Sequence, residues 1–375
     1  MKIIHLSDFH LGIRLNEYSL YDDQKYILSE ILSIIDLEQP QVVIIAGDIY
    51  DKSVPSAEAV ALFDEFISEL AGRNLQVLAI SGNHDSAERI AFGSRIMAHS
   101  GVHFSPVYNG EIKPIVINDE YGCVNFFMIP FVKPINVRSV SDNLIESYTD
   151  ALKFIIDKMN VDRNQRNVAV VHQFVTGGQQ CDSEIISVGG TDNVDAAVFN
   201  AFDYTALGHL HRPQNISPSI RYCGTPLKYS FSEKDHEKSV TVVELADKGN
   251  MSIRTIPLTP MRDLREIRGT YEELSYRENY KDTNVDDYIR VILTDELTIP
   301  NAAARLGEIY GHICELRYDN NSCGSGNHSG SVADVENKSE LDLITEFYLK
   351  QTGSEMNKEQ LKITKELLEK IKEES

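Results

Sequence analysis

The stretch VVIIAGDIYD, residues 42 to 51, decides the fold that we predict for this chain. Apolar residues, mostly β-branched, run straight into Gly47 and Asp48. This is the pattern of a strand that is buried on both faces and ends by presenting a carboxylate. We therefore predict that Asp48 is held on a rigid element at the edge of a sheet.

Four other strand-like runs, KIIHL, QVLAI, VAVV and YTAL, also end in polar residues. The residues that follow them are of metal-binding types: Asp8, His10, Asn83, His84, Asp85, His172, His209 and His211. Each piece alone is common, and a lone histidine at a strand end is more often structural than a ligand. Five such ends in one chain are hard to explain as satisfied core polar groups. We therefore predict that they converge on a pair of divalent metal ions.

Bulk properties limit the class of protein. At 375 residues, the chain is long enough for two domains and a tail. Its net charge of −21 argues against a polyanion partner on bulk charge alone, although a local basic groove is compatible with it. The five cysteines are scattered and form no CxxC pair, so no disulfide framework or thiolate zinc site is predicted. Since no apolar run approaches the roughly 20 residues that span a bilayer, we expect a cytoplasmic protein without a membrane partner.

The first predicted domain, residues 1–258, alternates strands and helices, which favours a layered α/β fold. We predict Ser56 as the N-cap of its second helix. Helices are predicted over residues 18–37, 56–70, 87–99 and 144–159, and further strands over 112–117, 125–129, 167–171, 220–223 and 239–244.

Three segments follow the first domain. Residues 259–318 are predicted to form a smaller α+β domain, with a strand in DYIRVILTD and a helix over 301–310. Residues 319–338, rich in Asn, Ser and Gly, are predicted to be a flexible linker. Residues 339–375 are predicted to be helical, and Asn357 with Gln360 resembles a capping box.

The tail carries two apolar stripes, which either pack on the second domain or dock on another protein. They are formed by Leu343, Ile344, Phe347 and Tyr348, and by Leu361, Leu367, Leu368 and Ile371.

The predicted ligands suit Mn²⁺, Fe²⁺, Zn²⁺ or Mg²⁺ better than a structural zinc, since they are carboxylate, imidazole and amide groups without a thiolate. Asp48, on the central strand, is the natural bridge between two ions. A two-metal site activates water and clamps the oxygens of phosphoryl transfer. The chemistry that the sequence predicts is therefore hydrolysis of a phosphate ester.

The order D-x-H, GD-x-x-D, GNHD, H and GH-x-H resembles the signature of the calcineurin-like metallophosphoesterase superfamily. Three longer stretches resemble the SbcD family of bacterial DNA nuclease subunits, the counterparts of the archaeal and eukaryotic Mre nucleases. They are HQFVTGG (172–178), SVGGTDNVDAAVFNAFDYTALGHLHRPQ (187–214) and REIRGTYEEL (265–274). The resemblance covers nearly the whole chain. It implies a layered β-sandwich flanked by helices, an α+β capping domain that binds DNA, and C-terminal helices.

The resemblance also implies the roles of single residues. One ion would be bound by Asp8, His10, Asp48 and His211, and the other by Asp48, Asn83, His172 and His209. The family usually uses Mn²⁺. His84 would be the general acid that protonates the leaving oxygen. Asp85 would either orient His84 or cap the next helix, and Asp51 stands where some relatives have a second histidine.

The remaining polar residues receive more open interpretations. Six histidines are expected to be ordinary surface or core imidazoles: His5, His99, His103, His236, His312 and His328. Five cations near the metal-bearing edge either contact DNA phosphates or are solvated: Arg14, Lys52, Arg89, Lys133 and Arg138.

The helices over residues 57–70 and 87–99 carry more apolar residues than one contact with a sheet must cover. These are Leu62, Phe63, Phe66, Ile90, Phe92 and Ile96. Since relatives dimerise through this region, we predict an isologous homodimer interface, with simple core faces as the alternative.

The function that the resemblance implies is that of a Mn²⁺-dependent DNA exonuclease and endonuclease. It would act as a homodimer with an SbcC-like ATPase in recombination, repair and the processing of ends or hairpins. A scaffold with a dead site is the alternative outside enzymes, and the intact ligands argue against it. A phosphodiesterase or phosphatase acting on another substrate is the alternative among enzymes.

Overall fold

The computed structural model describes residues 1–141, 143–182, 184, 193–319, 341, 344–345, 347–349 and 355–373, with residues 366 and 369–373 described by their backbone alone. The chain divides into two compact units, Met1–Leu264 and Arg265–Ser375. The predicted linker from residue 320 onward and His328 lie outside the described residues, as do Leu343 and the side chain of Ile371.

The first unit contains two six-stranded mixed sheets, which confirms the predicted layered α/β fold. The strands of the first sheet, in spatial order, are Met251–Pro257, Ser239–Leu245, Lys2–Leu6, Val42–Ala46, Gln76–Ile80 and Val102–Phe104. The strands of the second sheet are Gln214–Ser217, Ile220–Tyr222, Tyr204–Gly208, Arg166–His172, Gly122–Ile129 and Ile115–Asp119.

Parallel pairing explains how the predicted site is assembled. Lys2–Leu6, Val42–Ala46 and Gln76–Ile80 are parallel neighbours in the first sheet. Arg166–His172 and Tyr204–Gly208 are parallel neighbours in the second. Parallel strands have their carboxyl ends at one edge, so each sheet presents its polar strand ends together.

The two sheets pack face to face through a shared apolar core. Val42, Ile44 and Ala46 of the first sheet are fully buried in the same cluster as Val168 and Val170 of the second. This burial on both faces is the reason for the continuous apolar run around residue 44.

Helices cover the outer faces of both sheets. The apolar stripes of Tyr21–Glu38 and Ala57–Gly72 are buried, and the side chain of Ser56 accepts from the Ala59 amide as predicted for an N-cap. Helices Pro134–Arg138 and Tyr148–Lys158, with the 3₁₀ turn Ala196–Phe199, lie on the second sheet.

The prediction of one continuous helix over residues 87–99 is wrong. The chain forms Ala87–Ile90, Ser94–Met97 and a 3₁₀ turn, Ala98–Ser100. Gly93 has a φ of +71° and separates the first two pieces, since this left-handed conformation cannot continue a right-handed helix.

The apolar residues predicted for a dimer interface separate into two groups. Leu62, Phe63, Phe66 and Ile90 are buried within the chain, so they are core residues. Phe92 and Ile96, on the broken segment, are 80% and 79% exposed.

The second unit contains a three-stranded sheet in the order Leu264–Gly269, Tyr288–Leu293 and His312–Tyr318. Short helices at Tyr271–Ser275, Arg277–Tyr280 and Ala302–Leu306 accompany it. The predicted strand in DYIRVILTD is therefore present, and the predicted helix over residues 301–310 is shorter than expected. Ile289, Val291 and Leu306 lie in the apolar core of the second unit.

The tail contains the helix Lys358–Glu373. Asn357 and Gln360 exchange backbone-to-side-chain hydrogen bonds of 2.9 Å in both directions, which confirms the predicted capping box. Ile344, Phe347 and Leu367 have exposed fractions between 36% and 65%. None of the helices in the described part of the chain is long and apolar enough to span a membrane.

Candidate metal centre

The polar strand ends are held in backbone conformations that the turns impose on them. Asp8, His10 and Asp48 have φ values of +53°, +44° and +48°, which are unfavourable for residues other than glycine. Two main-chain hydrogen bonds of 3.0 Å join the turns, from Asp8 N to Gly47 O and from His10 N to Asp48 O. Non-glycine residues at positive φ cluster at functional sites because the surrounding structure must stabilise them.

The carboxyl ends of the two sheets approach each other closely at this edge. His172 Nδ1, from the second sheet, donates to the Ala46 carbonyl oxygen of the first at 2.8 Å. A Cβ atom on Gly208 would lie 1.9 Å from the same oxygen, and one on Gly47 would lie 2.4 Å from His172 Nδ1. Only glycine fits at these two positions, so the sequence permits the contact that brings both ligand sets together.

The first group of polar atoms surrounds His172 Nε2. This nitrogen lies 2.9 Å from Asn83 Oδ1 and 3.3 Å from Asp48 Oδ2. His209 Nδ1 lies 2.9 Å from the same Asn83 oxygen. Asp8, whose carboxylate accepts from the His209 amide at 3.0 and 3.1 Å, lies 3.9 Å from His172 Nδ1. Ligand atoms of Asp8, Asp48 and His172 all lie within 4.8 Å of one another, which is close enough for metal to bind among them.

The geometry of His172 fits a cation. Since Nδ1 donates to Ala46, a neutral ring directs its Nε2 lone pair at two oxygen atoms, which repel it. Burial alone would lower the pKa of His172. The charge of Asp48 and its hydrogen bond outweigh burial and raise that pKa to about 9. Positive charge is therefore stabilised between these atoms, and a divalent ion bound there would replace the proton.

The second group of polar atoms surrounds His10. Both ring nitrogens of His10 are buried without a hydrogen-bond partner, although Nε2 lies 3.7 Å from Asp48 Oδ2. Its ring centroid lies 4.8 Å from that of His84 and 5.0 Å from that of His211. Burial lowers the pKa of His10 well below its ordinary value, so the ring is neutral and has a lone pair to offer. An unsatisfied buried imidazole among such neighbours is what an ion site requires.

The pKa values of the buried carboxylates Asp8 and Asp48 are shifted in opposite directions. Burial raises the pKa of Asp8 to about 6. Burial alone would also raise the pKa of Asp48, but the nearby His172 and His10 rings outweigh it and hold that pKa below its ordinary range. Asp48 is thus the carboxylate best stabilised as an anion, and it contacts both groups of atoms.

The residues that hold His211 in place were not predicted from the sequence. Its Nδ1 donates to Glu233 Oε1 at 3.1 Å, and the buried Lys238 ammonium lies 2.6 Å from Glu233 Oε2 and 2.9 Å from the His211 carbonyl oxygen. The backbone amide of His211 donates to Glu184 Oε1 at 2.7 Å. No sequence signal marks these residues, since they belong to no recognisable motif; Glu233 ends the 3₁₀ helix Phe231–Glu233. Second partners of this kind fix the tautomer and orientation of a ligating histidine.

His84 is held at the rim of the site. Its amide donates to Asp48 Oδ1 at 2.8 Å, and its Nδ1 donates to the main-chain carbonyl of Asp51 at 2.8 Å. Position 51 therefore contributes its carbonyl oxygen, which any residue could supply, and this directs Nε2 of His84 away from Asp51.

One of the two roles predicted for Asp85, that of N-cap of the next helix, is wrong. The helix N-cap is Ser86. The Asp85 carboxylate instead accepts from the backbone amides of Ile49, Tyr50 and Gly82 at 2.9 to 3.1 Å. It joins the loop after Asp48 to the loop that carries Asn83 and His84.

The other histidines that the structure describes make local contacts, as expected. His5 is a buried core imidazole that pairs with the Tyr204 hydroxyl at 2.8 Å. His99, His103 and His312 pair with Arg95, Gln76 and Asp286, and His236 is half-buried. The five cations that either contact DNA phosphates or are solvated, Arg14, Lys52, Arg89, Lys133 and Arg138, are all exposed.

We predict that Gly208→Ala destabilises the protein because the new methyl group would force the two sheets apart. The free energy of unfolding should fall by about 1 to 3 kcal/mol, which is typical of overpacking. Urea denaturation measures it. Gly72→Ala is the control, since nothing lies within 4 Å of its added Cβ, and it should be neutral or slightly stabilising. Equal unfolding midpoints for the two variants would contradict the close approach.

Comparison with known proteins agrees with this geometry. Residues 1–213 match the calcineurin-like phosphoesterase family, and residues 260–352 match the family described as type 5 capsule protein repressor C-terminal domain. The SbcD subunit of nuclease SbcCD from Staphylococcus epidermidis is 35% identical over 98% of both chains. The protein of the same name from Staphylococcus saprophyticus subsp. saprophyticus is 33% identical over 100% of this chain and 99% of its own.

A solved dimetal phosphatase from Danio rerio is 13% identical, with a TM-score of 0.41, over 70% of this chain and 98% of that one. The family assignment rests instead on the family that matches residues 1–213 and on the two relatives of full length. This chain therefore belongs to the calcineurin-like phosphoesterases and, within them, to the SbcD family, and it is a phosphodiester hydrolase whose site suits divalent metal ions.

Proposed function

We propose that the protein is a Mn²⁺-dependent DNA nuclease with double-strand exonuclease and single-strand endonuclease activity. It would serve recombination, repair and the processing of DNA ends or hairpins. The observation that carries the proposal is the buried group of carboxylates and imidazoles around His172 and His10. The substrate class is supported by two relatives of full length that are named as nuclease subunits.

We assign Asp8, His10, Asp48 and His211 to one ion and Asp48, Asn83, His172 and His209 to the other. Asp48 would be a ligand of both ions, in keeping with its contacts to His10 and His172. Oxygen and imidazole ligands suit Mn²⁺. When bound, the two ions would supply the positive charge that polarises a phosphodiester and acidifies the attacking water.

His84 is assigned as the general acid. The hydrogen bond from its Nδ1 to the Asp51 carbonyl fixes the ring plane, so a proton on Nε2 can be delivered in one direction only. Its amide bond to Asp48 keeps the ring beside the phosphate position. In this arrangement the leaving 3′ or 5′ oxygen takes the Nε2 proton as the P–O bond breaks.

We predict that Asp48→Ala and His84→Ala both lose cleavage activity, but that only Asp48→Ala also loses bound metal. Asp48→Ala removes a ligand from both ions, so bound metal and cleavage should both be lost. His84→Ala should keep its metal, while cleavage of linear duplex falls by about 10² to 10⁴-fold, the usual contribution of a general acid. Metal analysis and a cleavage assay with Mn²⁺ measure these outcomes.

His99→Ala is the control, because His99 is an exposed imidazole that bonds only its own helix turn. Loss of metal in His84→Ala would show that His84 is a ligand. A generic phosphodiester substrate, assayed alongside DNA, tests the alternative of a phosphodiesterase or phosphatase. Cleavage of that substrate without any cleavage of DNA would favour the alternative.

The second proposal concerns assembly into a homodimer. Phe92 and Ile96 are exposed. Phe92 lines a largely apolar groove of about 650 Å³, together with Val60, Ile67 and Met97. A projecting apolar side chain next to an apolar groove suits a two-fold interface, because each copy can insert its side chain into the groove of the other.

We predict that the double substitution Phe92→Ser and Ile96→Ser converts the dimer to a monomer without unfolding it. Both side chains are exposed, so the core loses nothing. Sedimentation velocity measures the oligomeric state, with Leu144→Ser, at an 82% exposed leucine, as the control. A doubly substituted protein that stays dimeric would place the interface elsewhere.

The third proposal assigns the tail to an SbcC-like ATPase partner. Phe347, Ile363 and Leu367 are 65%, 53% and 55% exposed on tail residues. Burying such side chains in a partner helix pair at about 25 cal/mol per Å² can hold a stable complex. None of the four cysteines that the structure describes forms a disulfide, which supports a cytoplasmic location for this complex.

We predict that the pair Phe347→Asp and Leu367→Asp abolishes co-purification with the ATPase. Mn²⁺-dependent cleavage of single strands should stay near normal, because the nuclease unit is unchanged. Leu297→Asp is the control, since Leu297 is 79% exposed in the second unit outside the tail. Deletion of residues 337–375 should reproduce the loss, and unchanged ATPase binding by that truncated chain would refute the assignment.

A further inference from the structure

Two buried side chains outside the ligand set contact the turn that carries His10. Gln24 lies among the buried residues of the helix Tyr21–Glu38 and is 1% exposed. Tyr229, in a loop of the same unit, is 5% exposed. A glutamine in a core-facing apolar stripe requires polar partners, because an unpaired buried amide is destabilising. The hydrogen-bond partners of Gln24 identify what it holds.

The side chain of Gln24 spans the whole His10 turn. Its Nε2 donates to the carbonyl oxygens of Phe9 and His10 at 3.1 and 2.9 Å. Its Oε1 accepts from the Gly12 amide at 3.0 Å. The Tyr229 hydroxyl donates to the same Phe9 oxygen and lies 3.3 Å from Gln24 Nε2. The two side chains therefore form one connected hydrogen-bond network on the main chain of this turn.

The backbone that they hold is in an unfavourable conformation. His10 has a φ of +44°, which the surrounding structure must stabilise in a residue other than glycine. The Phe9 and His10 carbonyl oxygens belong to the two peptide groups that flank the His10 Cα. Because Gln24 binds both of these groups, it restrains both backbone dihedral angles of His10. Without these bonds the turn is free to relax and to carry the imidazole away.

The ring of His10 has no hydrogen bond of its own that could orient it. Both of its nitrogens are buried and unpartnered. By contrast, Nδ1 of His172 donates to the Ala46 carbonyl oxygen, and Nδ1 of His211 donates to Glu233. A ligating histidine is ordinarily oriented through the ring nitrogen that does not bind metal. The orientation of His10 therefore depends on its main chain and on the rings that surround it.

Tyr229 also contacts the His10 ring itself. The two rings lie edge to face, with centroids 5.8 Å apart and planes at 82°. The His84 ring makes a similar contact with His10, at 4.8 Å and 89°. Perpendicular rings at these distances restrict rotation of the imidazole about its side-chain bonds. Tyr229 therefore restrains His10 through both its hydroxyl group and its ring.

We propose that Gln24 and Tyr229 are positioning residues that hold His10 as a ligand of the ion it shares with His211, and that they thereby set the affinity of this ion position. The inference rests on the two-metal function proposed above. In this assignment Gln24 touches neither the ions nor the substrate and acts through the main chain of His10. Loss of its bonds should therefore weaken one ion position and leave the position around His172 unchanged.

Manganese binding tests the proposal without an activity assay. The metal-free full-length chain is titrated with Mn²⁺, and the resonance signal of free Mn²⁺ gives the number and affinities of the bound ions. Gln24→Met keeps the length of the side chain and deletes its hydrogen bonds. It should weaken one of the two positions by about 10- to 100-fold, the usual effect of losing an outer partner of a metal ligand. Tyr229→Phe, which loses only a hydroxyl, should weaken the same position by less.

Asn167→Leu is the matched control for loss of a buried amide. Asn167 is fully buried, and its Nδ2 donates to the carbonyl oxygens of Asp162 and Gln165 at 2.8 and 2.9 Å. It lies near the start of the strand that ends at His172, away from the metal centre. Both Asn167→Leu and Gln24→Met should lower the unfolding midpoint in urea, but Asn167→Leu should bind both ions normally. Equal weakening of Mn²⁺ binding in the two variants would show that Gln24 acts through stability alone and would overturn the inference.

A double-mutant cycle tests whether Gln24 acts through His10. In a protein that already carries His10→Ala, Gln24→Met should cause no further loss of Mn²⁺ affinity, whereas fully additive losses would contradict the assignment. Where Gln24→Met does not fold, Tyr229→Phe decides the question. Normal binding of both ions by the folded variants would overturn the inference and leave the two-metal function intact. An unaltered protein that binds no Mn²⁺ would overturn both.

Discussion

The structure depends on the hydrogen bond by which His172 of the second sheet reaches the Ala46 carbonyl of the first. Neither sheet alone carries enough ligands for two ions. Their carboxyl ends must approach to within one side chain, and a bond of 2.8 Å between a ring nitrogen and a main-chain oxygen sets that spacing. The same bond selects the tautomer of His172 and directs Nε2 at Asp48 and Asn83. One hydrogen bond therefore determines both the distance between the two sheets at this edge and the orientation of the His172 ring.

Burying so many titratable groups has a cost that the surroundings must offset. An isolated carboxylate taken out of water is strongly destabilised unless charge or hydrogen bonds compensate it. Asp8 receives hydrogen bonds from the Ser7 hydroxyl and the His209 amide, and Asp85 receives three from backbone amides. His10 has no such support. The unsatisfied ring is the clearest sign that the fold is organised around a cation.

Sequence patterns predicted the strands and the residues that follow them, because apolar periodicity and parallel pairing are local consequences of burial. The two sheets and the gathering of Asp48, Asn83 and His172 follow from that pattern. Contacts formed by loops could not be predicted in this way. Asp85 was expected to act on a neighbouring element in sequence, but it bonds the turn after Asp48. Glu233 and Lys238 have no periodicity at all, and their role exists only because the fold places them behind His211.

The broken helix after residue 87 shows a related limit of sequence patterns. Its apolar spacing is helical, yet Gly93 in the left-handed region interrupts it, and this exposes Phe92 and Ile96 instead of burying them. A pattern of apolar residues indicates that their surface will be buried. It does not indicate whether they pack against the protein's own core or against another molecule.

Main-chain groups supply much of the geometry of the site, and this decides which side chains are free to vary. Position 51 holds His84 through its carbonyl oxygen, and position 181 is held through its amide by Glu184. At position 51 the side chain takes no part in this hydrogen bond, although it lies close to the metal centre. A change of residue type there leaves the ligand framework intact and alters the charge or softness of the immediate surroundings. The environment of His84 can therefore diverge among proteins that share this arrangement, without any change in the residues that build it.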